Sequence, residues 1–232
     1  MKIIENIEEA TNKVIIRSHG VTKEIYDKAK KLNLQVIDLT CPKVLKIHNL
    51  AQDYSKKGYY IFLIGKTLHP EMLGTISFCG EYYSVIEEES AIEKAINKFE
   101  KSNKEKALII SQTTFSLETF ENIVEKIKQK LPKGNIEVHN TICTATKQRQ
   151  EETEKIAKQV DAMIIIGGKH SSNTNKLYEL AKKYCNIVLF IETEKELDEK
   201  ILNGVNAVGV MAGASTPNES IDKVVEKLKR MC

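Results

Sequence analysis

The fold of this 232-residue chain is decided by two similar stretches, Val36-Ile37-Asp38-Leu39-Thr40-Cys41-Pro42 and Glu137-Val138-His139-Asn140-Thr141-Ile142-Cys143-Thr144. Each is a short run rich in β-branched residues that ends in a polar turn with a cysteine, and a helical pattern follows. A strand that stops at such a turn places the turn at the carboxyl edge of a sheet, where open α/β sheets bind ligands. The two stretches therefore predict parallel sheets with a ligand site near the two cysteines.

The similarity continues beyond the cysteines as a repeat of about a hundred residues. Three pairs of residues share a step of 102 positions: Cys41 and Cys143, Gly65 and Gly167, and Thr113 and Ser215. Each glycine and each of the two hydroxyl residues follows an apolar run typical of a buried strand. Because the repeating unit is long, it indicates a duplicated α/β domain rather than a solenoid.

The first forty residues match the end of such a unit. Cys41 is preceded by a strand at Val14–Ile16, a polar turn, and a helical pattern from Thr22 to about Leu32. Cys143 is likewise preceded by a strand, a turn and a helix. We interpret the opening residues as the tail of a unit whose front is absent. The predicted division is a remnant of the first unit at 1–41, a second unit at 42–142, a third at 143–216 and a C-terminal helix at 217–232.

The alternation of strands and helices predicts the fold class. Predicted helices include 43–57, 117–130, 144–159 and 194–202, and the short apolar runs between them read as strands joined by crossover helices. We therefore expect an α/β protein with a pseudo-threefold arrangement of three-layer α/β units, each with a parallel sheet, the first unit being truncated.

Composition narrows the class of protein. Apolar residues make up 41% of the chain and charged residues 29%, both ordinary for a globular protein, and a net charge of +3 is too small to indicate nucleic-acid binding. Five cysteines at wide, uneven spacing do not form a disulfide framework. The sequence has no membrane-span or secretory-signal pattern. We expect a cytoplasmic protein without membrane or nucleic-acid partners.

Polar side chains that follow predicted strands are the candidate site residues. They are Cys41, Cys143, His19, His69, Glu71, Thr113, Thr114, Ser171, Ser172, Asn173 and Ser215. Thiolates without the close spacing of a zinc site suit an iron–sulfur cluster held by separate loops. Hydroxyls, amides, histidines and helix starts suit a phosphate-bearing anion.

Structural interpretations compete with these functional ones. Cysteines such as Cys79, Cys185 and Cys232 are typical small buried apolar residues. Four of the histidines also have ordinary explanations: His19 and His69 as hydrogen-bonded turn residues, and His48 and His139 as structural residues. Glu71, which follows Pro70, could be a first-turn helix acid, and Ser171–Asn173 could be helix caps. The ordinary turn residues would be Asp38, Thr40, Asn140 and Thr141.

Seven sequence blocks together are specific enough to indicate a family. They are Arg17–Val21, Asp38–Pro42, Gly65–Glu71, Ser111–Thr114, Thr141–Thr146 with Arg149-Gln150, Gly167–Asn173 and Ala212–Pro217. In this order the blocks closely resemble the 4-hydroxy-3-methylbut-2-enyl diphosphate reductases, which catalyse the last step of the non-mevalonate isoprenoid pathway. The resemblance extends over essentially the whole chain.

The resemblance implies three α/β units around a central [4Fe-4S] cluster held by three cysteines, two of them Cys41 and Cys143. It implies that Glu71 delivers a proton to the leaving hydroxyl, with Thr113 beside it. The residues implied to hold the diphosphate are His19, His69, Thr114, Ser171, Ser172, Asn173 and Ser215. The implied reaction is a two-electron reductive dehydroxylation of an allylic diphosphate to isopentenyl and dimethylallyl diphosphate, with electrons from ferredoxin or flavodoxin.

The sequence departs from the family in one respect. The family opens with a Gly-Phe-Cys turn and a later His-Asn pair, and both would precede Met1 of this chain. The expectation is therefore a fragment, a shortened gene product or one part of a split enzyme. Two alternatives remain open: a non-catalytic diphosphate-binding remnant, and a structural zinc protein that uses Cys41, Cys143 and a histidine.

Overall fold

The structure is a computed structural model that describes residues 2–132 and 134–231. Its contacts divide the chain into two compact units. Unit 1 comprises Met1–Thr113 and Leu117–Thr141, and unit 2 comprises Thr114–Ser116 and Ile142–Cys232. The described residues form three sheets in which all strand pairs are parallel, which confirms the predicted α/β class.

Unit 1 holds two of the sheets. Its elements are β1 (Lys13–Ile16), α1 (Lys23–Lys31), β2 (Gln35–Asp38), α2 (Pro42–Lys56), β3 (Tyr60–Ile64), α3 (Pro70–Ile76), β4 (Tyr83–Ile86), α4 (Ile92–Lys101), β5 (Lys106–Ser111), α5 (Leu117–Lys130) and β6 (Asn135–Val138). Strands β1 and β2 form a two-stranded sheet, and the other four strands are ordered β4-β3-β5-β6.

Unit 2 holds the third sheet, with strand order β8-β7-β9. Its elements are α6 (Thr144–Ala157), β7 (Ala162–Ile166), α7 (Ser172–Tyr184), β8 (Ile187–Ile191), β9 (Val208–Ala212) and α8 (Asn218–Lys229). Among the residues that the structure describes, no helix is long and apolar enough to span a bilayer.

Continuous apolar runs produce the central strands. Strands β3 and β7 are buried along their whole length, and β5 is buried from its second residue onward. A parallel strand covered by helices on both faces buries every side chain, so its sequence is uniformly apolar instead of alternating. Cys79 and Cys185 are buried in these cores as expected, whereas Cys232 lies outside the described residues.

The duplication predicted from residue spacing is present in the fold of the two units. The order β4-β3-β5 in unit 1 corresponds to β8-β7-β9 in unit 2. Strands β3 and β7 start 102 residues apart and end next to Gly65 and Gly167, and helices α2 and α6 both follow a cysteine directly. Equivalent residues of the two repeats therefore occupy equivalent places in their own sheets.

The predicted helix over 194–202 is wrong. This segment forms two short 3-10 helices, Glu194–Glu196 and Glu199–Leu202. The chain between them is extended at Leu197, which is buried in the core of unit 2. The Asp198 carboxylate accepts a hydrogen bond from the backbone N–H of Lys200, and such a local bond competes with a continuous helix.

Candidate active site

Two histidine rings lie against each other in unit 1. His19 belongs to the turn after β1, and His69 is the N-cap residue of α3. Their ring centroids are 5.4 Å apart with an edge-to-face angle of 78°. Burial lowers the pKa of both imidazoles; that of His69 falls to about 4, with His19 and Lys66 acting in the same direction. Both rings are therefore neutral near pH 7.

The cap at His69 also fixes which ring nitrogen carries the proton. The Nδ1 atom of His69 accepts a hydrogen bond from the backbone N–H of Glu71 at 3.2 Å. An accepting Nδ1 in a neutral ring assigns the proton to Nε2, which is then free to donate. Pro70 occupies the first helical position, as its fixed φ angle favours. The sequence interpretation of His69 as a hydrogen-bonded turn residue is thus correct and leaves one donor available.

Glu71 is the buried acid of unit 1. Its side chain is only 1% exposed, and its two carboxylate oxygens accept hydrogen bonds from the backbone N–H and the hydroxyl of Thr113, each at 2.6 Å. Burial raises the pKa of Glu71, and the two Thr113 bonds act against that rise. A first-turn helix acid is normally exposed, so its position near the dipole does not explain this burial.

The turn at Cys41 is held by its neighbours and not by its sulfur. The Asp38 carboxylate accepts hydrogen bonds from the backbone N–H of Thr40 at 2.9 Å, from the Thr40 hydroxyl at 2.5 Å and from the hydroxyl of Tyr26 at 2.9 Å. The N–H of Cys41 donates to the carbonyl of Ser18. Asp38 and Thr40 are thus turn residues, as one interpretation expected, and they hold in place a half-buried Cys41 that makes no capping hydrogen bond.

Cys143 occupies the equivalent position in unit 2. It is the N-cap residue of α6, with φ −62° and ψ 132° against −55° and 132° at Cys41. Its sulfur is half-buried and makes no capping hydrogen bond. Within either unit, the described residues include no group of three or more His, Cys, Asp or Glu side chains placed to hold a metal ion. Each thiol is therefore a single potential donor of its own unit.

The start of α7 in unit 2 carries a buried amide. Ser171 is the N-cap residue, and its hydroxyl accepts a hydrogen bond from the N–H of Thr174. Asn173 is 4% exposed, yet neither its amide nitrogen nor its amide oxygen has a hydrogen-bond partner among the described residues. An unsatisfied buried polar group costs about 1–3 kcal/mol, so this amide is a candidate ligand contact.

The loop that carries Ser215 packs against the start of α7. A methyl group added at Gly213 would lie 2.2 Å from the Thr174 hydroxyl, and one added at Gly167 would lie 2.8 Å from the hydroxyls of both Thr174 and Thr216. Only glycine fits at these two contacts, and Gly167 also has a φ of +148°. The exposed Ser215 and half-buried Ser172 therefore belong to adjoining turns of unit 2.

The structure brings together some of the predicted residues within each unit. In unit 1, His19 contacts His69, His69 bonds Glu71, and Glu71 bonds Thr113. Thr114 is half-buried in the short segment of unit 2. Cys143 and the Ser171–Asn173 and Ser215 turns also belong to unit 2. The functional role of each residue remains a prediction.

Sequence inspection missed how the repeat pairs the residues that lie behind these turns. Thr174 follows Gly167 by seven positions and packs against it, as Met72 follows Gly65 by seven positions and packs against it. The step of 102 positions also connects the buried His48 with the buried Gln150. Applying the repeat to every buried position, and not only to cysteines and glycines, would have identified these pairs.

The fold and the site define a class of α/β protein: it has duplicated parallel units, each unit starts a long helix at a free cysteine, and one unit buries an acid. The chain belongs to the LytB protein family, whose family model matches residues 1–229.

Relatives of known name share this family. The chain is 39% identical to the 4-hydroxy-3-methylbut-2-enyl diphosphate reductase of Caldanaerobacter subterraneus, over 95% of this chain and 74% of that protein. It is 41% identical to the enzyme of the same name from Clostridioides difficile, over 100% of this chain and 81% of that protein. The relatives are oxidoreductases by name, and the resemblance found in the sequence is confirmed.

Two solved structures agree with this family assignment. A structure of (E)-4-hydroxy-3-methyl-but-2-enyl diphosphate reductase, described as the terminal enzyme of the non-mevalonate pathway, aligns with a TM-score of 0.64 and 38% identity, over 96% of this chain and 78% of that one. The E-1-hydroxy-2-methyl-but-2-enyl-4-diphosphate reductase of Plasmodium falciparum aligns with a TM-score of 0.87 and 33% identity, over 97% and 70%. The α/β fold is therefore that of these reductases.

Proposed function

We propose that this chain is a 4-hydroxy-3-methylbut-2-enyl diphosphate reductase of the non-mevalonate pathway. The reaction breaks the allylic C–O bond with two electrons and two protons, and it yields water with isopentenyl or dimethylallyl diphosphate. Beyond the family membership, one observation carries the proposal. A carboxyl group that is 1% exposed and bonded twice to Thr113 is a suitable proton donor for a poor leaving group.

Glu71 would deliver that proton to the departing hydroxyl. Its raised pKa favours the protonated form that a donor needs, and the Thr113 hydroxyl 2.6 Å away can return or relay a proton. Glu71 and His69 belong to the same helix start, so the donor is fixed relative to one of the rings proposed to bind the substrate. Burial of Glu71 also keeps bulk water from exchanging this proton freely.

The diphosphate would be bound by His19, His69, Thr114, Ser171, Ser172, Asn173 and Ser215. The Nε2–H of the neutral His69 ring is available to donate, and the buried Asn173 amide has no donor or acceptor partner among the described residues. Ser172 and Asn173 lie in the first turn of α7, where backbone N–H groups and the helix dipole favour an anion. These donors suit an oxygen-rich, negatively charged group better than a neutral one.

Cys41 and Cys143 would hold a [4Fe-4S] cluster, which when bound supplies electrons and a Lewis acid for the hydroxyl. Their donor chemistry fits, because both thiols are free, half-buried and not engaged as caps. Each also lies at a helix N-terminus, whose partial positive charge suits an anionic sulfur ligand. The electrons would come from ferredoxin or flavodoxin in the cytoplasm.

A second candidate is a diphosphate-binding protein without a cluster. One observation favours this candidate: in the described part of either unit, no three or more metal-ligating side chains lie together. Both candidates predict binding of an allylic diphosphate, and they differ in iron content.

The test is anaerobic reconstitution of the chain with iron and sulfide. We expect bound iron and an electron paramagnetic resonance signal after reduction, both lost in Cys41→Ala and Cys143→Ala. Cys185→Ala is the matched control, because that thiol is buried against the carbonyls of Val160, Asp161 and Ile187. A chain that binds the substrate but takes up no iron would instead support the second candidate.

A single-turnover assay with a chemical reductant then tests the reaction itself. Iron-loaded protein should convert the substrate to the two diphosphate products. Loaded protein that binds the substrate without conversion would contradict the proposal.

A further inference from the structure

His48 is a buried side chain that the proposed reaction leaves unexplained. It lies on α2, seven residues after Cys41, and is 3% exposed. Neither ring nitrogen has a hydrogen-bond partner among the described residues. Burial lowers the pKa of His48 to about 4, although the Asp38 charge opposes this shift, so the ring is neutral near pH 7. An ordinary core position would be filled more favourably by an apolar residue.

The His48 ring fills the space between two site-bearing segments of unit 1. A methyl group at Gly20 would lie 2.9 Å from Cε1 of His48, and one at Gly74 would lie 3.3 Å from its Nε2. Gly20 directly follows His19, and Gly74 lies on α3, which His69 caps. The ring therefore packs close to the main chain on both sides; the contact at Gly20 requires glycine, and the contact at Gly74 leaves little room for a larger residue.

A stacked aromatic ring fixes the orientation of His48, and a threonine closes on the same glycine as His48 does. Its ring stacks on Phe78 with centroids 4.6 Å apart and planes 20° from parallel. The side chain of Thr40 closes on Gly20 from another direction, 3.1 Å from the same added methyl group. A flat ring fixed in this way sets the distance between the two glycine backbones.

We propose that His48 is a positioning residue that sets the separation of the His19 turn and helix α3, and so holds His19 and His69 in the paired geometry that binds the diphosphate. This inference rests on the proposed diphosphate site. His48 acts through ring size and stacking and does not touch the substrate. Packed interiors transmit such spacing because they resist compression and leave few voids.

Glu71 lies on α3 too, but its carboxylate has an additional anchor outside that helix. Both of its oxygens are bonded to Thr113, two residues after the end of β5. Loss of the ring should therefore affect anion binding before proton delivery. In an active preparation, the His48→Ala variant should raise KM with little change in kcat.

The first experiment measures the affinity of the intact chain for inorganic pyrophosphate by calorimetry, with no iron required. His48→Ala should weaken binding about tenfold or more, because small misplacements of binding groups are costly. Phe99→Leu is the matched control: Phe99 is a buried aromatic packed on Tyr60 and Phe62, and its loss should leave pyrophosphate affinity unchanged.

The second experiment separates spacing from general stability. Gly74→Ala keeps a helical backbone and adds a methyl group 3.3 Å from both the His48 ring and the Val21 carbonyl, so the neighbours must shift by a few tenths of an ångström. Alanine also favours a helix more than glycine does. We expect an equal or higher melting temperature with pyrophosphate affinity reduced about three- to tenfold. Leu73→Ala, on the exposed side of the same helix, should change affinity less than twofold.

The two changes should also be coupled. In the His48→Ala background the methyl group at position 74 has room, so Gly74→Ala should cost less affinity there than in the unchanged chain. Equal pyrophosphate affinity in folded His48→Ala would overturn the inference. If His48→Ala does not fold, unchanged affinity in Gly74→Ala has the same consequence. Failure of the unchanged chain to bind pyrophosphate would refute the diphosphate site itself, and the positioning role with it.

Discussion

Replacing Glu71 with glutamine separates proton delivery from the other contacts of this side chain. The two carboxylate oxygens each accept a 2.6 Å hydrogen bond from Thr113, one from its N–H and one from its hydroxyl. A glutamine of the same shape can accept from the N–H and donate to the hydroxyl, since a hydroxyl does both. The variant therefore keeps the packing and loses only the transferable proton.

The expected loss is large in turnover and small in binding. Removal of a general acid slows the step that uses it by about 10²–10⁴-fold. In the proposed site, ground-state affinity would reside in the histidines and in the turns of unit 2, so substrate affinity should change less than about twofold. A Glu71 that served only as a first-turn helix acid would instead cost about 0.3–1 kcal/mol of stability with turnover unchanged.

The same substitution has a pH signature in stability. Burial raises the pKa of Glu71 above 4.5, so the folded protein holds this proton more tightly than the unfolded chain does. The associated stability is present below about pH 4.5 and is lost as the pH rises through the folded pKa. Glutamine has no such dependence. Above pH 4.5, the unchanged chain should therefore lose stability relative to Glu71→Gln as the pH rises. The difference between their free energies of unfolding should grow by up to about 1.4 kcal/mol per pH unit.

The assay combines single-turnover kinetics of iron-loaded protein, calorimetric substrate affinity, and urea unfolding at several pH values. Glu24→Gln is the matched control, since Glu24 is also a first-turn acid but is exposed. Near-normal turnover in Glu71→Gln would refute the proton-donor role. A difference in unfolding free energy that does not change with pH would refute the raised pKa.

Two further predictions concern anion binding. Asn173→Ala should leave the free energy of unfolding unchanged or raise it by up to about 1–2 kcal/mol, because it removes a buried amide that lacks protein partners, and calorimetry should show weaker pyrophosphate binding. Asn175→Ala, which removes hydrogen bonds to the carbonyls of Lys169 and Ser171, should destabilise instead; the reverse pattern would contradict this view. His69→Asn should keep the α3 cap and lose affinity for pyrophosphate, whereas His69→Ala should lose affinity and also about 0.5–2 kcal/mol of stability by thermal unfolding. If both variants bind pyrophosphate as tightly as the unchanged chain does, His69 is not part of the site.

The amino-acid sequence determined the regular parts of this protein. Apolar runs such as Tyr60–Ile64 and Ala162–Ile166 are typical of buried strands, and the structure has strands there. A helix predicted over 117–130 has these bounds in the structure. The step of 102 positions identified the repeat, because duplicated units preserve the spacing of turn residues. The local sequence pattern was insufficient to predict the structure at 194–202. There, the burial of Leu197 and the cap at Asp198 outweigh helix propensity.

Only the tertiary structure decided the chemistry of the candidate site. Thr113 meets Glu71 across 42 residues of sequence, and His48 meets Gly20 and Gly74 from a third segment. Burial raises the pKa of Glu71 and leaves the Asn173 amide without a partner in the part of the chain that the structure describes, and neither effect exists in the extended chain. Sequence pattern specifies which residues face a core, but desolvation and hydrogen-bond satisfaction depend on which distant segments close over each group.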